Sequence, residues 1–332
     1  MKAWKLNNPR NLERAVATDL VLTDDTAKVK VTKALLSEAD VAVYTGAIKA
    51  KYPLVLGRFA LGQVTEAGEN SYMKKGDRVY FADVTEDECA EDGLQIAGET
   101  QDGFFRDFAL ADESKAYVLP ASVPDEAALL IDAVAMAERA VDEAHISVGQ
   151  HVLVVGGGLY GNILCQILIY HRAVPILADN NADRLARAKK SGIYYTFAND
   201  ESLKDNLLTV TGGKRADAAI YLAFANKSEP STVFSLVAQG ANVVFCSQTQ
   251  KSLSVNLENA LKNNVTVRCV SESREFVTTA INVLANKGIN YSEFSYITLP
   301  EEKLGETIEK YAAKGADSSA LSEEINVFKF VL

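Results

Sequence analysis

Three glycines at a regular spacing are the first feature of the sequence that could bind a ligand. The segment VLVVGGGLYG carries Gly156, Gly158 and Gly161 as G-x-G-x-x-G, between an apolar strand-like run and an apolar helix-like run. The first glycine permits a tight turn, the second lets backbone approach a phosphate, and the third lets helix and strand pack closely. Because a helix N-terminus attracts anions, the segment predicts a dinucleotide site that includes Leu159 and Tyr160.

An acidic residue follows these glycines at a distance that suits nucleotide recognition. Asp179 lies 179 − 158 = 21 residues beyond the second glycine, about where a carboxylate binds the ribose hydroxyls of a dinucleotide. Such a carboxylate repels a 2′-phosphate, and Asn180 and Asn181 follow it rather than a basic residue. The pattern therefore favours NAD(H) over NADP(H) as the cofactor.

Two further residues are candidates for the same site. Arg184 is close enough in sequence to line the adenosine side, although a solvated helix charge would explain it equally well. Cys246 ends the strand-like run NVVFCS and is expected to line the nicotinamide pocket, but no histidine or lysine neighbour suggests a reactive thiolate. A Rossmann domain that has stopped binding nucleotides is the alternative interpretation of the whole loop.

The glycine loop lies within a regular alternation of strand-like and helix-like segments. Apolar runs such as QHVLVVGG and AVPILAD alternate with helical runs such as LYGNILCQILIYHR, which predicts βαβ units around a parallel sheet. Upstream, AKVKVTKALL and GDRVYFADV predict short strands joined by turns, and the tail predicts strand, helix and strand. We therefore predict an α/β fold with a Rossmann doubly wound parallel sheet and a second, β-rich region.

Composition limits the partners that this chain could bind. Its 332 residues are 48% hydrophobic and 23% charged, and the formal net charge of −10 argues against nucleic-acid and anionic-membrane surfaces. A local basic pocket for a small anionic substrate remains compatible with that charge. The 4 cysteines, the absence of a Cys-x-x-Cys pair and the lack of a signal-peptide-like or long apolar segment lead us to expect a cytoplasmic protein without disulfides.

The order of these segments resembles one family, the medium-chain dehydrogenase/reductase superfamily, and within it the zinc-dependent alcohol and polyol dehydrogenases. The segments that carry the resemblance are YPLVLGRFALGQVTEAG, KKGDRVYFAD, DGFFRDFALADESKAYVLP, EAALLIDAVAMAERAV, HVLVVGGGLYG and VPILADNNADRLARAKKSG. The resemblance implies a GroES-like substrate domain over 1–123 and a Rossmann dinucleotide-binding domain over 124–290. It also implies that 291–332 returns to the GroES-like domain and that the active-site cleft lies between the two domains.

The zinc ligands of that family are not matched in this sequence. The zinc enzymes carry C-G-[ST]-D-x-H and, about twenty residues later, G-H-E, which supply the metal ligands. In this register Ser37 occupies the cysteine position, and 58 − 37 = 21 places Arg58 at the histidine position and Phe59 at the glutamate position. A further acidic ligand position is matched by Ile131, and Asp132 is one step away and expected to point elsewhere.

Other residues of the metal machinery are also replaced. Ala39 and Ala42 stand at the proton-relay positions, and the segment that could carry four structural-zinc cysteines has only Cys89. The histidines all lie at or inside the Rossmann half: His145, His151 and His171. We therefore expect neither zinc site and no metal ligand.

Four residues near the vacated metal position are candidates for a catalytic role. In the zinc relatives the aspartate at the position of Asp40 orients a metal-binding histidine, so we expect Asp40 to pair with Arg58. Arg58 could stabilise an oxyanion or bind a carboxylate or phosphate. Tyr44 is either a proton donor or an aromatic wall, and Ser37 is either a proton relay or a small filler.

Several functions remain open at this point. The first is a zinc-independent, NAD(H)-dependent oxidoreductase that transfers a hydride to or from a small carbonyl, alcohol or sugar-derived substrate. A zinc-free quinone or enone reductase and a non-catalytic nucleotide-binding sensor or partner subunit are the alternatives. The resemblance also implies a homodimer or homotetramer, with VTVRCVS as the edge strand that pairs between subunits.

Overall fold

The computed structural model describes residues 1–16, 20–81, 83–86, 94–222, 230–247, 254–313 and 324–330. The chain divides into two compact units. Unit 1 comprises Met1–Leu130 and Ser295–Leu332, and unit 2 comprises Ile131–Phe294.

The first part of unit 1 is mostly β-structure. Its helices are α1 (Glu38–Thr45) and the short α2 (Asp125–Ala128). Its strands are β1 (Lys2–Asn8), β2 (Asn11–Val16), β3 (Ala27–Leu35), β4 (Leu54–Val55), β5 (Phe59–Ala67), β6 (Arg78–Phe81), β7 (Val84–Glu86), β8 (Leu94–Ile96), β9 (Phe108–Ala111) and β10 (Ala116–Val118). Buried and partly exposed residues alternate along most of β3, as expected for a strand with one face on a core.

Unit 2 alternates strands and helices throughout. Its elements in chain order are α3 (Ile131–Glu143), β11 (His151–Val155), α4 (Leu159–Tyr170), β12 (Val174–Asp179), α5 (Ala182–Lys190), β13 (Tyr195–Ala198), α6 (Leu203–Val210), β14 (Ala216–Tyr221), α7 (Val233–Leu236), β15 (Val237–Cys246), α8 (Glu258–Lys262), β16 (Thr266–Val270) and α9 (Val277–Ala285).

The strands of unit 2 form one parallel sheet in the order β13-β12-β11-β14-β15-β16 among the described residues. Both faces of such a sheet are covered, so β11 is a nearly continuous buried apolar run. The order places β11 beside both β12 and β14, where the strand order reverses. That reversal is the position at which Rossmann sheets bind dinucleotides.

The tail of the chain completes unit 1 with β17 (Ser295–Pro300), α10 (Leu304–Ala313) and β18 (Glu324–Lys329). β18 pairs antiparallel with β3 and parallel with β17, so the tail joins the sheet that also contains β5, β6, β9 and β10. Unit 1 is thus a GroES-like β domain closed by its C-terminal segment. Among the described residues, none of the helices combines the length and apolarity that crossing a bilayer requires.

Two local features differ from the sequence-based expectation. The region 1–123 was expected to hold only strands and turns, yet α1 begins immediately after Ser37. The run DEAALLIDAVAMAERAVDEAHI has the residue spacing of one helix, but it forms α2 and α3, and unit 1 ends at Leu130 between them. Ion pairs from Lys33 and Arg78 to Asp125 attach α2 to the sheet of unit 1.

Candidate active site

The segment 156–161, which joins β11 to α4 and includes the first residues of that helix, has the geometry that its glycines predict. Gly156 has a φ of 109°, a backbone conformation that L side chains rarely adopt. A Cβ built on Gly161 would lie 1.7 Å from the carbonyl oxygen of Gly156, so any side chain would force helix and strand apart. We refer to residues 156–161 as the nucleotide loop.

The nucleotide loop contains the N-terminus of α4. Gly158 is the N-cap, and as a glycine it supplies no side-chain acceptor to the first N–H groups of the helix. The first turn of α4 carries no acidic residue. The positive end of the helix dipole is therefore not neutralised within its own first turn, and this favours an anion such as a pyrophosphate.

Asp179 ties the end of β12 to the nucleotide loop. Its carboxylate accepts hydrogen bonds from the N–H groups of Gly157 at 2.6 Å and Asn181 at 2.7 Å, and it is only 1% exposed. Arg184 lies 3.6 Å from the same carboxylate and is itself buried, so it is not a solvated helix charge. Asn180 is exposed beside them. The carboxylate of Asp179 is therefore held beside the nucleotide loop by groups of the protein itself.

Cys246 ends β15 in an apolar environment. Burial raises the pKa of its thiol to about 12, so the thiol stays protonated and is not a nucleophile at neutral pH. It lines a narrow apolar pocket in unit 2 together with Ala133, Met136, Ala137, Ala140, Tyr160, Leu164 and Leu222. Cys246 and Tyr160 of the predicted cofactor site therefore share one pocket wall.

Tyr160 makes a contact that the sequence analysis missed. Its hydroxyl donates a hydrogen bond to the buried carboxylate of Asp132 at 2.6 Å, which links the first turn of α4 to the first turn of α3. Asp132 thus points toward the nucleotide loop, while Ile131 is fully buried. The 28 residues between the two partners leave no local signal of this pair.

The residues that the resemblance aligns with the family's zinc ligands lie in unit 1, and Ser37 among them is at the start of α1. Ser37 is the N-cap: its hydroxyl accepts from the N–H of Asp40 at 3.1 Å and donates to the Asp40 carboxylate at 2.6 Å. The N–H of Ser37 donates to the same carboxylate at 2.9 Å, which completes a capping box. The segment S-E-A-D carries this signature, so the sequence did contain a signal for α1.

Asp40 connects α1 to the segment that precedes β5. Its other carboxylate oxygen accepts from the N–H of Gly57 at 3.1 Å, and the residue is 2% exposed. Burial raises the pKa of Asp40, and the hydrogen bonds from Ser37, the charge of Arg58 and the N–H of Gly57 oppose that rise. The Asp40 carboxylate is therefore a structural acceptor with three donors.

Arg58 pairs with a different acid from the one we expected. Its Nη2 donates to the Oε2 atom of Glu99 at 2.8 Å, so the predicted hydrogen-bonded pair between Asp40 and Arg58 is wrong. The donors of Ser37 and Gly57 already occupy the Asp40 oxygens, while Glu99 reaches the guanidinium from a turn that follows β8. We call Ser37, Asp40, Gly57, Arg58 and Glu99 the Asp40 cluster.

The Asp40 cluster does not fit a zinc ion. A guanidinium has no lone pair to donate and carries a positive charge, and the Ser37 hydroxyl is engaged as a helix cap. In the parts of the chain that the structure describes, no three His, Cys, Asp or Glu side chains are grouped to hold a metal. Cys89, from the segment expected to lack structural zinc, lies outside the described residues.

Tyr44 lies near the opposite end of α1 from Ser37. Its hydroxyl donates to Glu309 of α10 at 2.6 Å, and burial, followed by Glu309, raises its pKa to about 12. The residue is 5% exposed. The structure thus brings Ser37, Asp40 and Arg58 into one cluster and gives Tyr44 a separate contact.

Comparisons with known proteins agree with this architecture. Residues 23–121 match the family model described as alcohol dehydrogenase GroES-like domain, and residues 160–286 match the one described as zinc-binding dehydrogenase. A sorbitol dehydrogenase of Halalkalibacterium halodurans is 25% identical over 256 residues, covering 72% of this chain and 74% of that protein.

Solved structures share the fold over nearly the full length. An alcohol dehydrogenase of Escherichia coli, solved with NADH, superposes with a TM-score of 0.84 at 19% identity and covers 99% of both chains. A zinc-binding dehydrogenase of Sinorhizobium meliloti, solved bound to NADP, gives 0.82 at 18% identity and covers 99% of this chain and of its own. The two family models together span more than half of the chain, in the order that the two units require. The chain therefore belongs to the medium-chain dehydrogenase/reductase superfamily and is an alcohol- or polyol-dehydrogenase-like oxidoreductase.

Proposed function

We propose that the chain is a zinc-independent, NAD(H)-dependent oxidoreductase that acts on a small carbonyl, alcohol or sugar-derived substrate. The observation that carries this proposal is the nucleotide loop, where only glycine fits at position 161 and the N-terminus of α4 follows at once. When bound, a nicotinamide dinucleotide supplies or accepts a hydride. The residues of this chain that would hold it are those of the nucleotide loop, with Asp179 for the ribose.

The preference for NAD(H) rests on the carboxylate of Asp179. It is held by Gly157 and Asn181 at the carboxyl end of β12, where a 2′-phosphate would approach a negative charge. Arg184 offsets part of that charge from 3.6 Å, so the expected preference is moderate. The solved relatives include one with NADH and one with NADP, so the argument depends on these residues of the chain itself.

Parallel titrations of the purified protein with NADH and NADPH test the cofactor proposal. We expect NADH to bind at least about tenfold more tightly, a difference of roughly 1.4 kcal/mol. Asp179→Asn should narrow the difference, whereas Asp183→Asn, which changes an exposed acid in the first turn of α5, should leave it unchanged. Failure to bind either nucleotide would overturn the proposal.

Zinc independence is proposed from the Asp40 cluster. Arg58 would supply the positive charge that a metal supplies elsewhere, stabilising an oxyanion or an anionic substrate group. Oxidation of NADH by a panel of carbonyls, enones and quinones, and reduction of NAD+ by a panel of alcohols and polyols, should then survive exhaustive dialysis against a chelator. Activity that disappears on chelation and returns with zinc would contradict the proposal. Turnover confined to enones or quinones would instead identify a reductase of that type.

A second function is favoured by one observation about the side chains. The hydroxyls of Ser37 and Tyr44 and the carboxylate of Asp40 are all engaged in structural hydrogen bonds. A non-catalytic descendant, either a nucleotide-binding sensor or a partner subunit, would show this arrangement. It predicts NADH binding with no turnover for any member of the same panel, which separates it from the enzyme.

We also propose that the chain forms a homodimer or homotetramer. β16 ends the strand order of unit 2 within the described residues, and Val267 on it is 44% exposed. A second copy could extend the sheet there, since an unpaired edge is a template for strand addition. Sedimentation velocity should show a dimer or a tetramer, and Val267→Lys should shift it toward monomer. A wild-type chain that sediments only as a monomer would overturn this.

A further inference from the structure

Arg106 is an arginine without a counter-ion in unit 1. It follows the segment Gly103–Phe105, whose N–H groups donate to the carbonyls of Val55, Leu56 and Gly57, immediately before Arg58. Within the described residues its guanidinium makes no ion pair and no hydrogen bond, and its Nε atom is buried without a partner. Its guanidinium carbon lies 6.0 Å from the centroid of the Phe104 ring.

Neither of the two acids near Arg106 in the sequence forms a hydrogen bond with its guanidinium, and each accepts a backbone N–H instead. Asp102 accepts the N–H of Val55 at 2.8 Å, and Asp107 accepts the N–H of Lys2 at 2.7 Å. Burial lowers the pKa of Arg106, and the charge of Asp102 opposes that effect from a distance. Desolvating a cation without pairing it costs free energy. An anion that bound at this position would therefore stabilise the folded chain.

Arg58, in the same unit, is an arginine that does form an ion pair with an acid of the protein. Its side chain is 5% exposed and its Nη2 atom lies 2.8 Å from Glu99. Arg106 is more exposed than Arg58, but its Nε atom is buried, and within the described residues no acid hydrogen-bonds to its guanidinium. The protein covers the Nε side of this guanidinium, and its described residues supply no acceptor for the terminal nitrogens. Such a group is suited to bind a planar or tetrahedral oxyanion through charge-assisted hydrogen bonds.

We propose that Arg106 binds a small oxyanion, a carboxylate or phosphate group, and thereby selects substrates that carry one. The assignment of the anion to a substrate rests on the proposed oxidoreductase function, whereas the anion site itself does not. Arg106 then acts as a specificity-determining residue through charge and hydrogen bonding. The inference changes the expected substrate from a neutral polyol to an acid or a phosphate ester.

Anion titrations of the intact protein test this inference directly. Sodium phosphate and sodium malonate, compared with sodium chloride at equal ionic strength, should raise the unfolding temperature of the wild-type chain. Arg106→Met should weaken the apparent affinity at least about tenfold and should unfold at a higher temperature than wild type without anion, because it removes a desolvated charge. A response to phosphate alone indicates a phosphate ester, and a response to malonate alone indicates a carboxylic acid.

Controls separate this site from general charge effects and from the cofactor proposal. Arg10→Met removes an exposed arginine already paired with Glu309 and should leave the anion response unchanged. An Arg106→Met response equal to that of wild type would overturn the inference, as would no wild-type response to either anion. NADH binding measured on the same samples shows whether the proposed function stands independently.

Discussion

The nucleotide loop of unit 2 and the Asp40 cluster of unit 1 are built in different ways. The nucleotide loop depends on backbone: a positive φ at Gly156 and a contact at Gly161 that excludes any side chain. The Asp40 cluster depends on side chains, from the cap of Ser37 to the ion pair of Arg58. A site made of backbone tolerates few substitutions, whereas a site made of side chains can change its residues and keep its fold.

The largest expected effect is at Gly161. In Gly161→Ala the new Cβ would overlap the carbonyl of Gly156, so β11 and α4 must separate. We expect a loss of about 3 kcal/mol of stability and a roughly 100-fold loss of NADH affinity. Gly305→Ala, inside α10, is the matched control. Its new Cβ would make ordinary contacts with Trp4, and the substitution should stabilise the helix slightly. Equal effects of the two variants on NADH affinity would break the contrast.

The second prediction concerns the asymmetry of the Arg58–Glu99 pair. Glu99→Met leaves the guanidinium of Arg58 buried without its partner, whereas Arg58→Met leaves a glutamate whose side chain is 21% exposed and can be hydrated. We expect Glu99→Met to cost about 3 kcal/mol and Arg58→Met about 1 kcal/mol in urea unfolding. Equal costs would mean that Asp40 pairs with Arg58 when Glu99 is absent, which is the pair that the sequence predicts.

The same contrast explains how much the sequence could reveal. Gly161 and Asp179 were predictable because a strand-turn-helix unit imposes their spacing within a short stretch of chain. The partner of Arg58 was not predictable, because Glu99 lies 41 residues away on a turn whose position depends on tertiary packing. The hydrogen bond between Tyr160 and Asp132 was not predictable for the same reason. The sequence does not show how the helices α3 and α4 pack against each other.

Helix α1, in contrast, has a local signal in the sequence. The capping box from Ser37 to Asp40 indicates a helix N-terminus, but the resemblance to the zinc enzymes assigns the same positions to metal chemistry. Ser37→Ala should therefore reduce stability by about 1 kcal/mol through loss of the cap. NADH affinity should not change. The matched control is Ser71→Ala, whose hydroxyl accepts the N–H of Met73 outside a helix N-cap. A Ser37→Ala variant that keeps full stability but loses turnover would restore the proton-relay interpretation.

The smallest effect is expected at Tyr44 and shows itself in pH dependence. Because its folded pKa is raised from 10.0 to about 12, the folded state holds its proton at pH values where the unfolded state releases it. Unfolding free energy should therefore fall as pH rises from about 10 to about 12, and Tyr44→Phe should fall less steeply over that interval. Near neutral pH Tyr44→Phe should lose only the hydrogen bond to Glu309, about 1 kcal/mol or less.

The pH profile of turnover of Tyr44→Phe below pH 9 should match that of wild type, because a phenol with so high a pKa is a poor proton donor to substrate at neutral pH. A turnover loss much larger than the stability loss would move Tyr44 into the catalytic machinery and show that the side-chain site kept its chemistry without the metal.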